Sequence, residues 1–113
     1  TLFPYTTLFR SRGLLKGRPI VSLVAAVSAG VVGADPMLDL CYEEDRDAAM
    51  DANVVATEAG ALVELQCTAE GAPVPRAQVD GLVDLALGGI ASLVAAQRAA
   101  LASAGVDLAA LHR

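Results

Sequence analysis

The sequence is poor in the residue types from which catalytic and metal chemistry is usually assembled. Its 113 residues include one histidine, two cysteines and no tryptophan, and aromatic side chains make up only 4%. His112, Cys41 and Cys67 form no CxxC or other paired ligand spacing, so a four-ligand zinc site cannot be gathered from them. Two cysteines allow one disulfide, far below the density of a stapled secreted scaffold, and they read as small apolar fillers. With so few rings the core must be built from Ala, Val and Leu, each of which buries little area. Basic residues are also scarce, eight against thirteen acids, for a net charge of -5. That balance argues against a free-standing nucleic-acid binder, whose footprint is a basic surface. What is plentiful is aliphatic: hydrophobic residues reach 55%, which excludes a disordered chain, and the length suits one domain.

The charge is unevenly spread. Arg10, Arg12, Lys16 and Arg18 precede the first acid, whereas residues 19–113 hold four bases and thirteen acids, a net -9. The opening run TLFPYTTLFRS, residues 1–11, resembles a translated sequencing adapter and is set aside as non-native. The basic residues 12–18 and the apolar run after them imitate an export signal, which would make the chain a small exported domain. The alternative is a buried strand. The run is rich in β-branched Val21, Val24, Val27, Val31 and Val32, contains Ser22, Ser28, Gly30 and Gly33, and is too short for the roughly 20 residues of a membrane span.

The remaining pattern predicts an α+β fold, a mixed sheet of two β-hairpins backed by one long C-terminal helix. The first hairpin turns at residues 33–36 and continues in a strand over 37–42. The second pairs a strand at 52–57, marked by Val54 and Val55, with one at 61–66 across a turn at 58–60. Apolar residues at helical spacing predict a helix from Arg76 to about Ser103, opened by Pro75 and interrupted by Gly88 and Gly89, which either permit close packing or bend it. Gly105 is a natural stop, and 105–113 reads as a flexible tail.

Between the hairpins, Asp39, Glu43, Glu44, Asp45, Asp47 and Asp51 crowd together, relieved by Arg46. A calcium loop is excluded, because residue 49 is Ala and no glycine follows. Asp45 and Asp51 remain, with Asn53 two residues beyond Asp51 and on the same side of the strand. Two carboxylates and an amide oxygen are hard ligands that Mg2+ or Mn2+ accepts. On spacing alone, a solvated charged turn is the plainer reading.

Four ordered stretches carry a resemblance: VAAVSAGVV (24–32), LDLCYEED (38–45), MDANVVAT (50–57) and VELQCTAEGAP (63–73), continued by LVAAQRAAL (93–101). In order and interval they resemble ribonuclease PH. The resemblance implies that residues 12–104 form the C-terminal portion of a ribonuclease PH domain, of the ribosomal protein S5 domain 2-like fold. Members are phosphate-dependent 3'-to-5' exoribonucleases that trim transfer RNA precursors and release nucleoside diphosphates. The resemblance further implies Asp45 and Asp51 as catalytic and metal-binding residues, Asn53 as a third metal-site residue, a divalent metal (Mg2+ or Mn2+), and phosphate as co-substrate. RNA, at the transfer RNA 3' end, is the implied partner of a hexameric ring in the cytoplasm, with no membrane.

Several positions depart from that pattern. Arg46 stands where the family usually has Ser, Cys41 where an acid is common, Ala52 for Met, Pro75 for a Ser or Thr helix cap, and Cys67 for Gly, where a side chain would strain a glycine conformation. The sequence has no Gly-Thr-Arg, the family's phosphate cradle, so no phosphate-binding residue is assigned and this polypeptide by itself is expected to be inactive. The other class the pattern leaves open is a non-catalytic ring subunit, which the apolar surplus suits and the retained Asp45 and Asp51 oppose.

Overall fold

A computed structural model describes residues 20–111. The adapter-like segment, residues 12–19 and His112 lie outside the described residues. Strand β1 (Val24–Val32) and β2 (Asp35–Leu38) form the first hairpin. A short helix α1 (Tyr42–Asp47) leads into β3 (Ala48–Thr57), which turns back as β4 (Leu62–Ala69). The long helix α2 (Arg76–Ser103) and a last turn α3 (Leu108–Leu111) follow.

The four strands lie in the order β2-β1-β3-β4. Two hairpins and a long backing helix are as the sequence predicts, but the sheet is antiparallel at every pairing rather than mixed. A parallel pair needs a crossover of a dozen or more residues. Here no neighbouring pair is parallel: β2 and β3 run in the same direction, but β1 lies between them and opposes both, and residues 39–47 with α1 join them across it.

Helix α2 has the predicted bounds. Its stripe of Leu82, Ala86, Ile90 and Val94 repeats every fourth residue and is buried on the sheet. Opposite lie Met50, Ala52, Val54 and Ala56 of β3 and Ala25, Ala29 and Val31 of β1. By length and composition α2 could span a bilayer, yet here this stripe makes it the core helix of the sheet. Gln97 Nε2 donates to the Val24 carbonyl at 2.9 Å, and Arg98 pairs with Glu58, tying the helix to β1 and to the β3–β4 turn.

The apolar run that imitates an export signal supplies β1. It is not buried on both faces as expected: Val24 and Ala26 are exposed, because α2 covers one face only. The strand expected at 37–42 ends earlier, where Asp39 takes a left-handed φ of 53° and donates its N–H to the Ser28 carbonyl at 2.9 Å. Pro36 sits within β2, which is tolerated because β2 is an edge strand. The segment expected to be a flexible tail is ordered as far as residue 111. After Gly105 (φ 75°) ends α2, Leu108 packs against the core, Leu111 is fully buried, and the Leu111 carbonyl accepts from Ile20 N–H at 2.9 Å. Its apolar residues find cover at the start of β1, which the sequence does not reveal.

The two helix glycines differ. A Cβ on Gly89 would lie 2.9 Å from Leu38 Cδ1 and 3.6 Å from Val27 Cγ1, so Gly89 permits close packing, whereas nothing lies within 4 Å of one on Gly88. Gly88→Ala is therefore expected to stabilise the protein by about 1 kcal/mol through helix propensity. Gly89→Ala is expected to gain less, because Leu38 must move aside. Equilibrium denaturation of the two variants checks the difference.

Candidate functional site

The side chains of β3 alternate, and this divides the sheet into two chemically different faces. Met50, Ala52, Val54 and Ala56 point to α2; Asp51 and Asn53 point the other way, with Asn53 exposed and Asp51 half-buried. The structure thus places Asp51 and Asn53 on one face, as their spacing predicts.

The strand register shows what surrounds them. Gly30 of β1 and Thr68 of β4 lie directly opposite Asp51, and Ser28 and Gln66 lie opposite Asn53. Two short rows therefore cross the far face, Gly30–Asp51–Thr68 and Ser28–Asn53–Gln66. Sequence reasoning missed the flanking members. The register of the β4 members, Thr68 and Gln66, depends on an irregularity between Val55 and Ala56 that no pattern in β3 announces. The turn itself lies at 58–60 as the sequence predicts, but the irregularity beyond it shifts the pairing that the turn would otherwise set. That turn closes with Gly60 at φ 85°, its N–H donating to the Thr57 carbonyl at 2.9 Å.

Gly30 is there because nothing larger fits. A Cβ at this position would stand 2.5 Å from Leu40 Cδ1 and 2.7 Å from the Met50 carbonyl oxygen. Leu40 thus folds over Gly30 on the Asp51 face and brings the chain into α1, which packs on β1 and β3.

The acidic stretch forms α1 rather than a turn. Glu43, Glu44 and Asp45 occupy its first turn, where carboxylates offset the exposed N–H groups, and Glu44 Oε2 accepts from Cys41 N–H at 2.9 Å. Asp45 is exposed on this helix and Asp51 follows across the α1–β3 junction. Arg46 turns to Asp47, with Nε and Nη2 at 3.0 and 3.1 Å from its two carboxylate oxygens. That pairing raises the Arg46 pKa further above its ordinary value. No hydrogen bond or ion pair to a described residue engages the Asp45 or Asp51 side chain.

No group of three or more His, Cys, Asp and Glu side chains that could hold a metal ion forms among the described residues. The donors expected from the sequence, the Asp45 and Asp51 carboxylates and the Asn53 amide oxygen, are divided between α1 and β3. Hard oxygens in that number fit an ion such as Mg2+, which keeps several waters and binds through one or two carboxylates plus substrate phosphate. They do not fit a dehydrated all-protein cage.

The cysteines are not core fillers, for both are free and exposed. Cys41 precedes α1, and Cys67 lies in β4, which α2 does not reach. Partial burial, and then the charge of Asp51, raise the Cys67 thiol pKa. The strain expected at Cys67 is absent: among described residues positive φ occurs at Asp39, Gly33, Gly60 and Gly105, and Cys67 continues the extended ladder opposite Ala52. Pro75 caps α2 without a side-chain hydrogen bond, as a residue lacking a polar side chain must.

An antiparallel sheet with an acidic and amide face, backed by a single long helix, is the architecture against which comparison with known proteins is informative. Residues 22–89 match the family described as 3' exoribonuclease family, domain 2, and the chain belongs to that family. Among individual proteins it is similar to ribonuclease PH of Mycobacterium leprae, in strains Br4923 and TN, at 50% identity over 97 residues in each case. Those residues are 86% of this chain and 38% of the relatives' length, so the chain spans well under half of the curated proteins it matches. The resemblance to ribonuclease PH read from the four sequence stretches is borne out.

Proposed function

We propose that the intact protein is a phosphate-dependent 3'-to-5' exoribonuclease that trims transfer RNA precursors and releases nucleoside diphosphates. The observation that carries this reading is the 50% identity to ribonuclease PH over 97 residues. In support, that stretch includes Asp45, Asp51 and Asn53, and the two β3 residues share the face opposite the core helix.

Phosphate and RNA are both anions, so attack of one on the other needs positive charge between them. A bound Mg2+ or Mn2+ supplies that charge and stabilises the attacking and leaving oxygens. Asp45 and Asp51 would hold the ion, with the Asn53 amide oxygen adding a neutral donor. One of the two carboxyl groups would also carry the proton that the departing 3' oxygen needs. Arg46, locked to Asp47, leaves the Asp45 carboxylate to this task. The phosphate cradle and the contacts to RNA belong to other parts of the intact protein, and the 113-residue chain by itself is inactive under this reading.

The same reading extends to a homo-oligomer, a hexameric ring, working in the cytoplasm. Strand β4 supports association with further protein: all eight residues are exposed, including Leu62, Val63 and Leu65, and α2 leaves them uncovered. That observation also suits a non-catalytic ring subunit.

The test joins residues 12–113 to the preceding portion of the M. leprae ribonuclease PH and incubates the purified chimera with a transfer RNA bearing a 3' extension. Nucleoside diphosphates are expected to appear only when phosphate and a divalent metal are both present. Nucleoside monophosphates without phosphate would mean hydrolysis, and a folded, assembled but silent chimera would favour the non-catalytic subunit.

A further inference from the structure

Helix α2 leaves part of its own face of the sheet bare. Leu62, Leu65 and Cys67 of β4 lie opposite Ala56, Val54 and Ala52 of β3 and so share the face on which α2 packs. The three β3 residues are 0–1% exposed, whereas Leu62 is 49% and Leu65 44% exposed, and Cys67 is exposed with them. Cover therefore stops between two adjacent strands. Helix α2 packs mainly on β1, with β2 and β3 to either side. Strand β4 lies two strands beyond β1, about 9–10 Å away at ordinary strand spacing. Neighbouring helices pack at about 8–10 Å between axes, so a second helix beside α2 would lie directly over β4.

The flank of α2 on that side is fixed by its contacts: Arg98 pairs with Glu58 in the β3–β4 turn, while Gly89, on the other flank, approaches Leu38 of β2. Leu87 and Asp80 precede Arg98 by about three and five whole helical turns and lie on its flank, with Asp84 one turn after Asp80. Leu87 is half-buried, and Asp80 and Asp84 are exposed with no hydrogen-bond or ion-pair partner among the described residues. We propose that this face takes an amphipathic helix with a basic edge, supplied by the part of the intact protein outside this chain. The proposal rests on the chain being one portion of a longer protein, not on its activity, and at 38% of the relatives' length it leaves ample chain to supply the helix. Apolar residues three and four apart on that helix would cover Leu62, Leu65 and Cys67, and Lys or Arg at its edge would meet Asp80 and Asp84. A second copy fits less well, because residues 19–113 carry thirteen acids against four bases and would bring like charge to Asp80 and Asp84. The other face of β4 and its outer edge stay open to further association.

The experiment uses the chimera with the preceding portion of the M. leprae protein. Iodoacetamide labels Cys41 and Cys67, mass spectrometry of the digest reads each rate, and the pH dependence of each corrects it to the reactive thiolate. Both thiols are exposed in this chain, so equal rates are the result without a cover. Under the helix, Cys67 is expected to react at least about 10-fold more slowly than Cys41, at every chimera concentration, because labelling must wait for a local opening. Asp80→Lys combined with Asp84→Lys is expected to speed Cys67 labelling about threefold through the lost charge pairs. Leu65→Asp is expected to quicken amide hydrogen exchange along one stretch of the preceding portion, with apolar residues three and four apart and Lys or Arg beside them. Equal labelling of Cys41 and Cys67 overturns the proposal. Protection that fades on dilution also does, since it would mean a second copy, and so does quickened exchange confined to β4 or falling on a stretch of alternating apolar residues. A chimera that protects Cys67 but releases no nucleoside diphosphate sinks the nuclease reading and leaves the helix in place.

Discussion

Asp51→Asn is expected to lower phosphate-dependent release of nucleoside diphosphate from the chimera by at least about 100-fold, the loss seen when one preorganised charge-stabilising group is removed. The substitution keeps the shape of the side chain and removes its charge, so the ion would be held by one carboxylate instead of two. Stability is expected to change by less than about 0.5 kcal/mol. Asp51 faces away from the α2 core, and its carboxylate has no hydrogen-bond or ion-pair partner among the described residues whose loss would be felt. Nucleotide release and thermal unfolding, measured on the same preparation, separate the two effects. A large loss of activity with an unchanged midpoint places Asp51 in the chemistry. Loss of both would make it structural, and an active variant would remove Asp51 from the site.

Gly30→Ala carries the largest expected effect on folding. Leu40 can swing its side-chain end away from an added methyl group, but the Met50 carbonyl belongs to the neighbouring strand and cannot move without separating β1 from β3. Overpacking of this kind costs about 1–3 kcal/mol, which exceeds the roughly 0.5–1 kcal/mol that Ala gains over Gly within a strand. For a domain of this size each kcal/mol lowers the midpoint by about 4–8 °C. Because Gly30 pairs directly with Asp51, metal affinity should fall together with stability. A Gly30→Ala protein as stable as the parent would show that β1 and β3 can part at this point without cost.

These two residues also show how far the sequence could be read. Asp51 was legible because its chemistry and two-residue interval from Asn53 are local: strand alternation alone puts both on one face. Gly30 was visible only as a glycine in an apolar run. Its reason, a carbonyl of β3 and a leucine ten residues downstream, exists only once β1, β3 and Leu40 meet. Thr68 lay within a stretch read for its family pattern, and its place beside Asp51 follows from a strand irregularity between Val55 and Ala56.

Helix α2 was legible to both ends, since twenty-eight residues at a period of 3.6 state one answer many times over. The acidic segment was not. Six residues are too few to show a period, and α1 forms because Glu44 reaches back to its start and its flank rests on β1 and β3. Exposure of Cys67 is not legible in the sequence, because its burial depends on how far α2 extends across the sheet.

By itself, then, the sequence determined the hairpins, the long helix, the Asp51–Asn53 face and the family, all of which rest on local periodicity or on matched stretches of residues. Only the tertiary structure decided the all-antiparallel strand order, the docking of Leu111, the bareness of β4 and the neighbours of Asp51. Those depend on contacts between residues far apart in the chain, whose pairing is fixed by which turns close and which faces one helix is able to cover.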